Sequence, residues 1–159
     1  MYPAAPGGAK PLTWTWWPRS IDTVIAVSPY LSPADTAIVA LGVLSAIDAE
    51  SGGRVDAVGD YMNGVPCSHS LFQMNRCGGA GTGYTVVQLR DPDLQFQHAR
   101  GIVKAVESAL YWSRIEGRPF TPTTVALASK QIQRCQDGFE VGYAKAWTRL
   151  QSEAGWTLP

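Results

Sequence analysis

The run Ser32-Pro33-Ala34-Asp35-Thr36-Ala37-Ile38-Val39-Ala40-Leu41-Gly42-Val43-Leu44-Ser45-Ala46-Ile47-Asp48-Ala49-Glu50-Ser51-Gly52-Gly53 contains a whole helix with both of its ends. Ser32 is a good N-cap, because its hydroxyl can accept from a free backbone N–H of the first turn. Pro33 fits the first helical position, where no N–H is needed. Asp35, three residues after the cap, stands in a capping-box-like relation to it. Gly52-Gly53 supplies the left-handed stop. Between these ends Ala37, Ile38, Ala40, Leu41, Leu44, Ile47 and Ala49 leave almost no polar face. A helix apolar nearly all round is a buried one. At 1.5 Å per residue it is roughly 27 Å long, about the width of a small domain. The fold is therefore expected to be mainly α, built around residues 33–51.

Working outward, residues 1–31 read as an N-terminal arm followed by a short helix, and residues 32–159 as the main domain. The arm is rich in Pro and Gly, then carries Trp14, Trp16 and Trp17 between Pro11 and Pro18. It is expected to be a covering segment that packs its Trp side chains onto the core, a partner-docking surface being the alternative. Residues 22–30 form the short helix. On the other side, residues 54–84 are polar and Gly-rich, with residues 70–74 fitting a strand or a helical turn. Further helices are expected over residues 93–116, 121–134 and 139–151, from apolar spacing and from the Pro and Gly residues that bound them.

Composition narrows the function. The chain has 159 residues, enough for one domain. With 13 Lys+Arg against 13 Asp+Glu it has no excess of positive charge to neutralise phosphates, which excludes general electrostatic binding of nucleic acid. Hydrophobic residues make up 45%, which excludes intrinsic disorder. The apolar stretch over residues 21–47 is broken by charges and prolines, so no membrane span is expected. The start lacks a basic cluster followed by an apolar run, so no secretory signal is read.

Glu50 is the chemically interesting residue. A carboxylate at the end of a buried helix faces apolar surroundings and the partial negative charge of the helix C-terminus. Both raise its pKa, as a general acid working near neutral pH requires. The alternative is a helix-end Glu pointing into solvent. Its context is distinctive: Ala46-Ile47-Asp48-Ala49-Glu50-Ser51-Gly52-Gly53, then Asp56-Ala57-Val58-Gly59-Asp60, then Ser68-His69-Ser70-Leu71-Phe72-Gln73-Met74-Asn75. This resembles the signature of the soluble lytic transglycosylases, lysozyme-like enzymes that cut peptidoglycan: Glu-Ser-Gly at a helix end, Ala-x-Gly-Asp, then Ser-x-Gly-Leu-(Phe/Met)-Gln. Leu89-Arg90-Asp91-Pro92, and Gln133-Arg134 with Gly142-Tyr143-Ala144, are similar to later parts of phage members. The resemblance spans about residues 33–150.

It implies a lysozyme-like fold with a small irregular or β segment beside the cleft. It implies cleavage of the β-1,4 bond between N-acetylmuramic acid and N-acetylglucosamine, with Glu50 as acid and then base. Ser68, Ser70 and Gln73 would bind the sugar, with Tyr143 approaching from the last helix. No cofactor and no metal are implied. The implied partners are peptidoglycan and phage virion or tail proteins. The implied location is a phage virion, or the bacterial envelope after release. Three departures stand out: Ser70 replaces the expected Gly, residues 61–67 look like an insertion, and Gln95 replaces the Asn of the Asp-Pro-x-x-Asn lead-in.

Two other functions compete. A hydrolytic muramidase would use a second carboxylate, for which Asp60 and Asp56 are the candidates, although both also read as ordinary turn residues. A structural or peptidoglycan-binding virion module of the same fold would be non-catalytic. Three cysteines are no disulfide framework. Free thiols are the leading expectation, a Cys67–Cys77 bridge closing a short loop the alternative, and a zinc site of Cys67, His69, Cys77 and Cys135 a weaker one. The glycine run over residues 78–83 lacks the Lys-Ser/Thr of a phosphate-binding loop and reads as a rim loop. His98 is expected on a helix surface.

Overall fold

The computed structural model describes residues 5–7 and 11–157. Residues 1–4, 8–10 and 158–159 of the two spans named above lie outside the described residues. Among those described, the protein is mainly helical with a small three-stranded antiparallel sheet. No helix among them is long and apolar enough to cross a membrane.

The central helix, α2, runs Pro33–Ser51, as its caps predict. Ser32 Oγ accepts from Asp35 N, and Gly52, at φ 60°, closes the helix. Its side chains are buried without a break from Thr36 to Ile47. Gly42 lets the helix approach its neighbours closely, since a Cβ there would meet Val106 and Val125 at 3.1–3.2 Å. Around α2 pack α1 (Trp17–Val27), α4 (Pro92–Ile115), α5 (Pro122–Gln133) and α6 (Glu140–Ala154). A four-residue helix, α3 (Val86–Leu89), precedes α4 and carries a capping box of Thr85 with Gln88.

The N-terminal covering segment is helical from Leu12 onward. Residues Leu12–Trp16 form a 3-10 turn that runs straight into α1, and Pro18 sits in the first turn of that helix, where its missing N–H costs nothing. The short helix thus lies earlier than residues 22–30. The expected packing of Trp onto the core does occur: Trp14 and Trp17 are both buried. This segment also clamps the end of α2. Thr13 Oγ1 donates to Asp48 at 2.7 Å, and Trp16 Nε1 donates to the Gly53 carbonyl at 2.8 Å. Gly53 must be glycine here, since its φ is 85° and a Cβ would lie 2.7 Å from Thr13 N.

The polar stretch after α2 folds into β1 (Val58–Met62), β2 (Val65–His69) and β3 (Met74–Asn75), in that order in the sheet. What looked like an insertion is the β1–β2 hairpin. Asn63 and Gly64, at φ 51° and 77°, make the two-residue turn that right-handed strand twist favours. The β2–β3 turn brings Cys67 and Cys77 to a Cα separation of 5.4 Å, and they form a disulfide. The free-thiol expectation is therefore wrong for these two, and only Cys135 is free. The zinc grouping fails for the same reason, because two of its four ligands are bonded to each other. Reduction of this bridge is expected to lower stability by about 2–3 kcal/mol, since the closed loop is short. Urea unfolding with and without reductant measures it.

Candidate active site

Glu50 occupies the next-to-last position of α2, half-buried where the helix meets the sheet segment and α6. Tyr143, itself buried, reaches in from α6 and donates its hydroxyl proton to Glu50 Oε1. The last residue of α5, Gln133, donates from Nε2 to the same oxygen at 3.4 Å. Burial pushes the Glu50 carboxyl up from 4.5 to about 7, and the charge of Asp60 adds to the rise. The bonds from Tyr143 and Gln133 oppose it. Burial and the neighbouring Glu50 push the Tyr143 hydroxyl far above the ordinary tyrosine value, so it stays a neutral donor. Cys135 lies beside that hydroxyl, and burial raises its thiol.

Both donors fall on Oε1. In the protonated acid, Oε1 is then the carbonyl-like oxygen and the proton sits on Oε2. The second oxygen is the one left to exchange a proton with a bound molecule.

The segment opposite Glu50 is braced from within. Ser68 is buried, and its hydroxyl donates to the Asp60 carboxylate. Gln73 donates from Nε2 to Ser70 O at 2.9 Å and to Ala57 O at 3.1 Å. Gly59 leaves room for the Gln73 amide, whose oxygen lies 2.7 Å from where a Cβ would be. Ser70 takes the left-handed conformation, φ 69°, that a glycine would adopt more easily. Its buried hydroxyl has no partner among the described residues. In this arrangement the amide hydrogens of Gln73 and the hydroxyl of Ser68 brace the loop. Asp56 stays exposed in the turn before β1. Asp60, at φ 48°, is the acidic residue whose charge is felt by Glu50.

Three further residues shape the site. Gln95, fully buried, accepts from Phe72 N at 2.9 Å and donates to Leu89 O at 2.6 Å, which anchors the site loop to α4. It makes these bonds where the expected residue was Asn. Gln133 ties Glu50 to the Phe72 carbonyl, 3.0 Å from its Nε2. His98 corrects the surface expectation: it is turned inward, half-buried, against the Phe72 ring and bonded to Gln133. Its position in α4 gave the signal, one residue before the buried Ala99 and two after the buried Phe96. The glycine run folds back on its own chain, with Gly79 N and Gly81 N both donating to Asn75 O. Two sizeable surface grooves, one of about 710 Å³ on the outer face of α6, are lined by neither Glu50 nor Tyr143.

Compared with family models, curated proteins and solved structures, the chain finds no match.

Proposed function

We propose that this chain is a lysozyme-like enzyme that cleaves the β-1,4 bond between N-acetylmuramic acid and N-acetylglucosamine as a lytic transglycosylase. The observation that carries the reading is Glu50. It is a half-buried carboxyl with a pKa of about 7, held at one oxygen by Tyr143 and Gln133 and without a partner at the other among the described residues. A buried helix ending in that acid beside a small antiparallel sheet supports the lysozyme-like description.

In this mechanism Glu50 Oε2–H protonates the glycosidic oxygen as the C1–O4 bond breaks. The leaving N-acetylglucosamine keeps that proton as its 4-hydroxyl. The 6-hydroxyl of the muramic acid residue bonds to C1, and its proton passes to the Glu50 carboxylate. The product is a 1,6-anhydro sugar, and the acid is ready again. Tyr143 and Gln133 hold the carboxylate that exists between the two transfers, since both donate to it. No cofactor or metal takes part. Asp60, which accepts from Ser68, adds a negative charge that is felt at Glu50.

That same charge favours a second reading, a hydrolytic muramidase with Asp60 as the second carboxylate. The partners proposed are peptidoglycan and phage virion or tail proteins, at the virion or the bacterial envelope. The Cys67–Cys77 bridge suits an oxidising setting outside the cytosol. Mass spectrometry of digested peptidoglycan decides between the readings. Anhydro-muramic products are expected. Reducing ends without any anhydro product overturn the transglycosylase in favour of the muramidase. Intact walls leave only a structural or wall-binding module.

A further inference from the structure

Gln133 reaches partners on two helices and on the β2–β3 turn. At one end of its amide, Nε2 donates to Phe72 O at 3.0 Å and to Glu50 Oε1 at 3.4 Å. Phe72 O can only accept, and so can a carboxylate oxygen, so this end must be the nitrogen. At the other end Gln133 Oε1 lies 2.6 Å from His98 Nε2. An amide oxygen has no proton to give, so His98 Nε2 must carry one. A single directed series of bonds results: His98 Nε2–H to Gln133 Oε1, then Gln133 Nε2–H to Glu50 Oε1.

A glutamine amide turned by 180° fills the same space. Reversed, Gln133 would put its oxygen against Phe72 O and Glu50 Oε1, two other acceptors. Its nitrogen would face a His98 Nε2 that is itself a donor. Only the other imidazole tautomer, protonated on Nδ1, would accept that arrangement. Burial holds the His98 pKa below its usual value, so the ring acts as a neutral donor rather than as a charge. The groups that face Glu50 itself come from other elements: Tyr143 on α6, Asp60 on β1, Gln133 on α5 and, beside Tyr143, Cys135 after α5.

We propose that His98 is a positioning residue for Glu50: its Nε2–H holds the Gln133 amide so that the NH2 group, and not the oxygen, faces the carboxylate. This rests on the reading of Glu50 as the reacting acid. Its consequence is specific to the charged form. The Gln133 donor favours the carboxylate left after proton transfer, whereas a reversed amide would disfavour it. Removing the His98 donor should therefore make Glu50 hold its proton more tightly and give it up at a higher pH.

The test follows the tautomer and the carboxyl directly. In 15N spectra of the wild-type protein, His98 is expected to show a protonated Nε2 and a bare Nδ1, and the opposite tautomer overturns the proposal. The Glu50 carboxyl is then titrated by 13C NMR in wild type, His98→Gln and His98→Leu. The glutamine places an N–H where Nε2 was and should titrate with wild type. The leucine variant should titrate about one unit higher. Coincident titrations in all three overturn the proposal. Should His98→Leu fail to fold by circular dichroism, the wild-type tautomer still decides. Neither measurement uses peptidoglycan, so a wild-type protein that leaves walls intact overturns the reaction but not the positioning.

Discussion

Glu50→Gln is expected to cut peptidoglycan cleavage by about 100- to 10,000-fold, the range that loss of a general acid and base produces. The substitution keeps the side chain's shape and its Oε1, so Tyr143 can still donate to it. It removes the only proton that Glu50 can move. A zymogram of wild type beside the variant reads the result, and a variant as active as wild type removes Glu50 from the mechanism. The same change should raise stability at alkaline pH. Burial lifts the carboxyl from 4.5 to about 7 in the folded chain. Below pH 4.5 it is protonated whether folded or not, and its contribution to stability is fully present. That contribution is lost as pH rises through about 7, because the folded state then holds a buried charge. At about 1.4 kcal/mol per unit, the variant should gain up to about 3 kcal/mol over wild type at pH 8 and little at pH 4. Thermal melts at the two values check it. Activity of the wild type should fall over the same alkaline range, as the acid loses its proton.

Trp14→Ala is expected to destabilise the protein by about 3–5 kcal/mol. Trp14 is 1% exposed. Its ring lies edge-on to Trp17 and Trp156, each at 5.8 Å, and its N–H donates to Glu153 at 2.9 Å. Truncation would leave a large void and take one of two donors from the Glu153 carboxylate. Glu153 and Asp48 both bind Arg149, and Asp48 also takes the Thr13 bond. The N-terminal segment, the end of α6 and the end of α2 are thereby joined at one place. Urea unfolding measures the loss, and a loss below about 1 kcal/mol would show that the segment is dispensable to the core.

How much was readable differs from element to element. The bounds of α2 were visible because Ser32, Pro33 and Gly52 act through their own backbone geometry, which needs no partner. The starts of α4 and α5 were near their true places for the same reason, each having a proline in the first turn. The β1–β2 hairpin was missed although Asn63-Gly64 announces it. Its strands carry exposed Val58, Tyr61, Met62 and Val65 in no clean alternation, so the turn had no recognisable strands around it. Glu50 stood out because it ends an apolar helix within a Glu-Ser-Gly context that the following segments extend. Gln133 entered only as part of the later resemblance, with no role at Glu50, and His98 was placed on a helix surface, since glutamine and histidine suit a surface as well as a site.

The sequence by itself determined the central helix, the stops that end it and the acid placed at its last turn. These are local matters: capping, backbone dihedrals and the absence of a polar face. Only the tertiary structure decided what surrounds that acid. Tyr143 lies 93 positions from Glu50, and Gln133 lies 83. Their meeting depends on how α5 and α6 pack on α2, which no local preference encodes. The same holds for Cys67 and Cys77, which become partners only when the β2–β3 turn folds the chain back on itself.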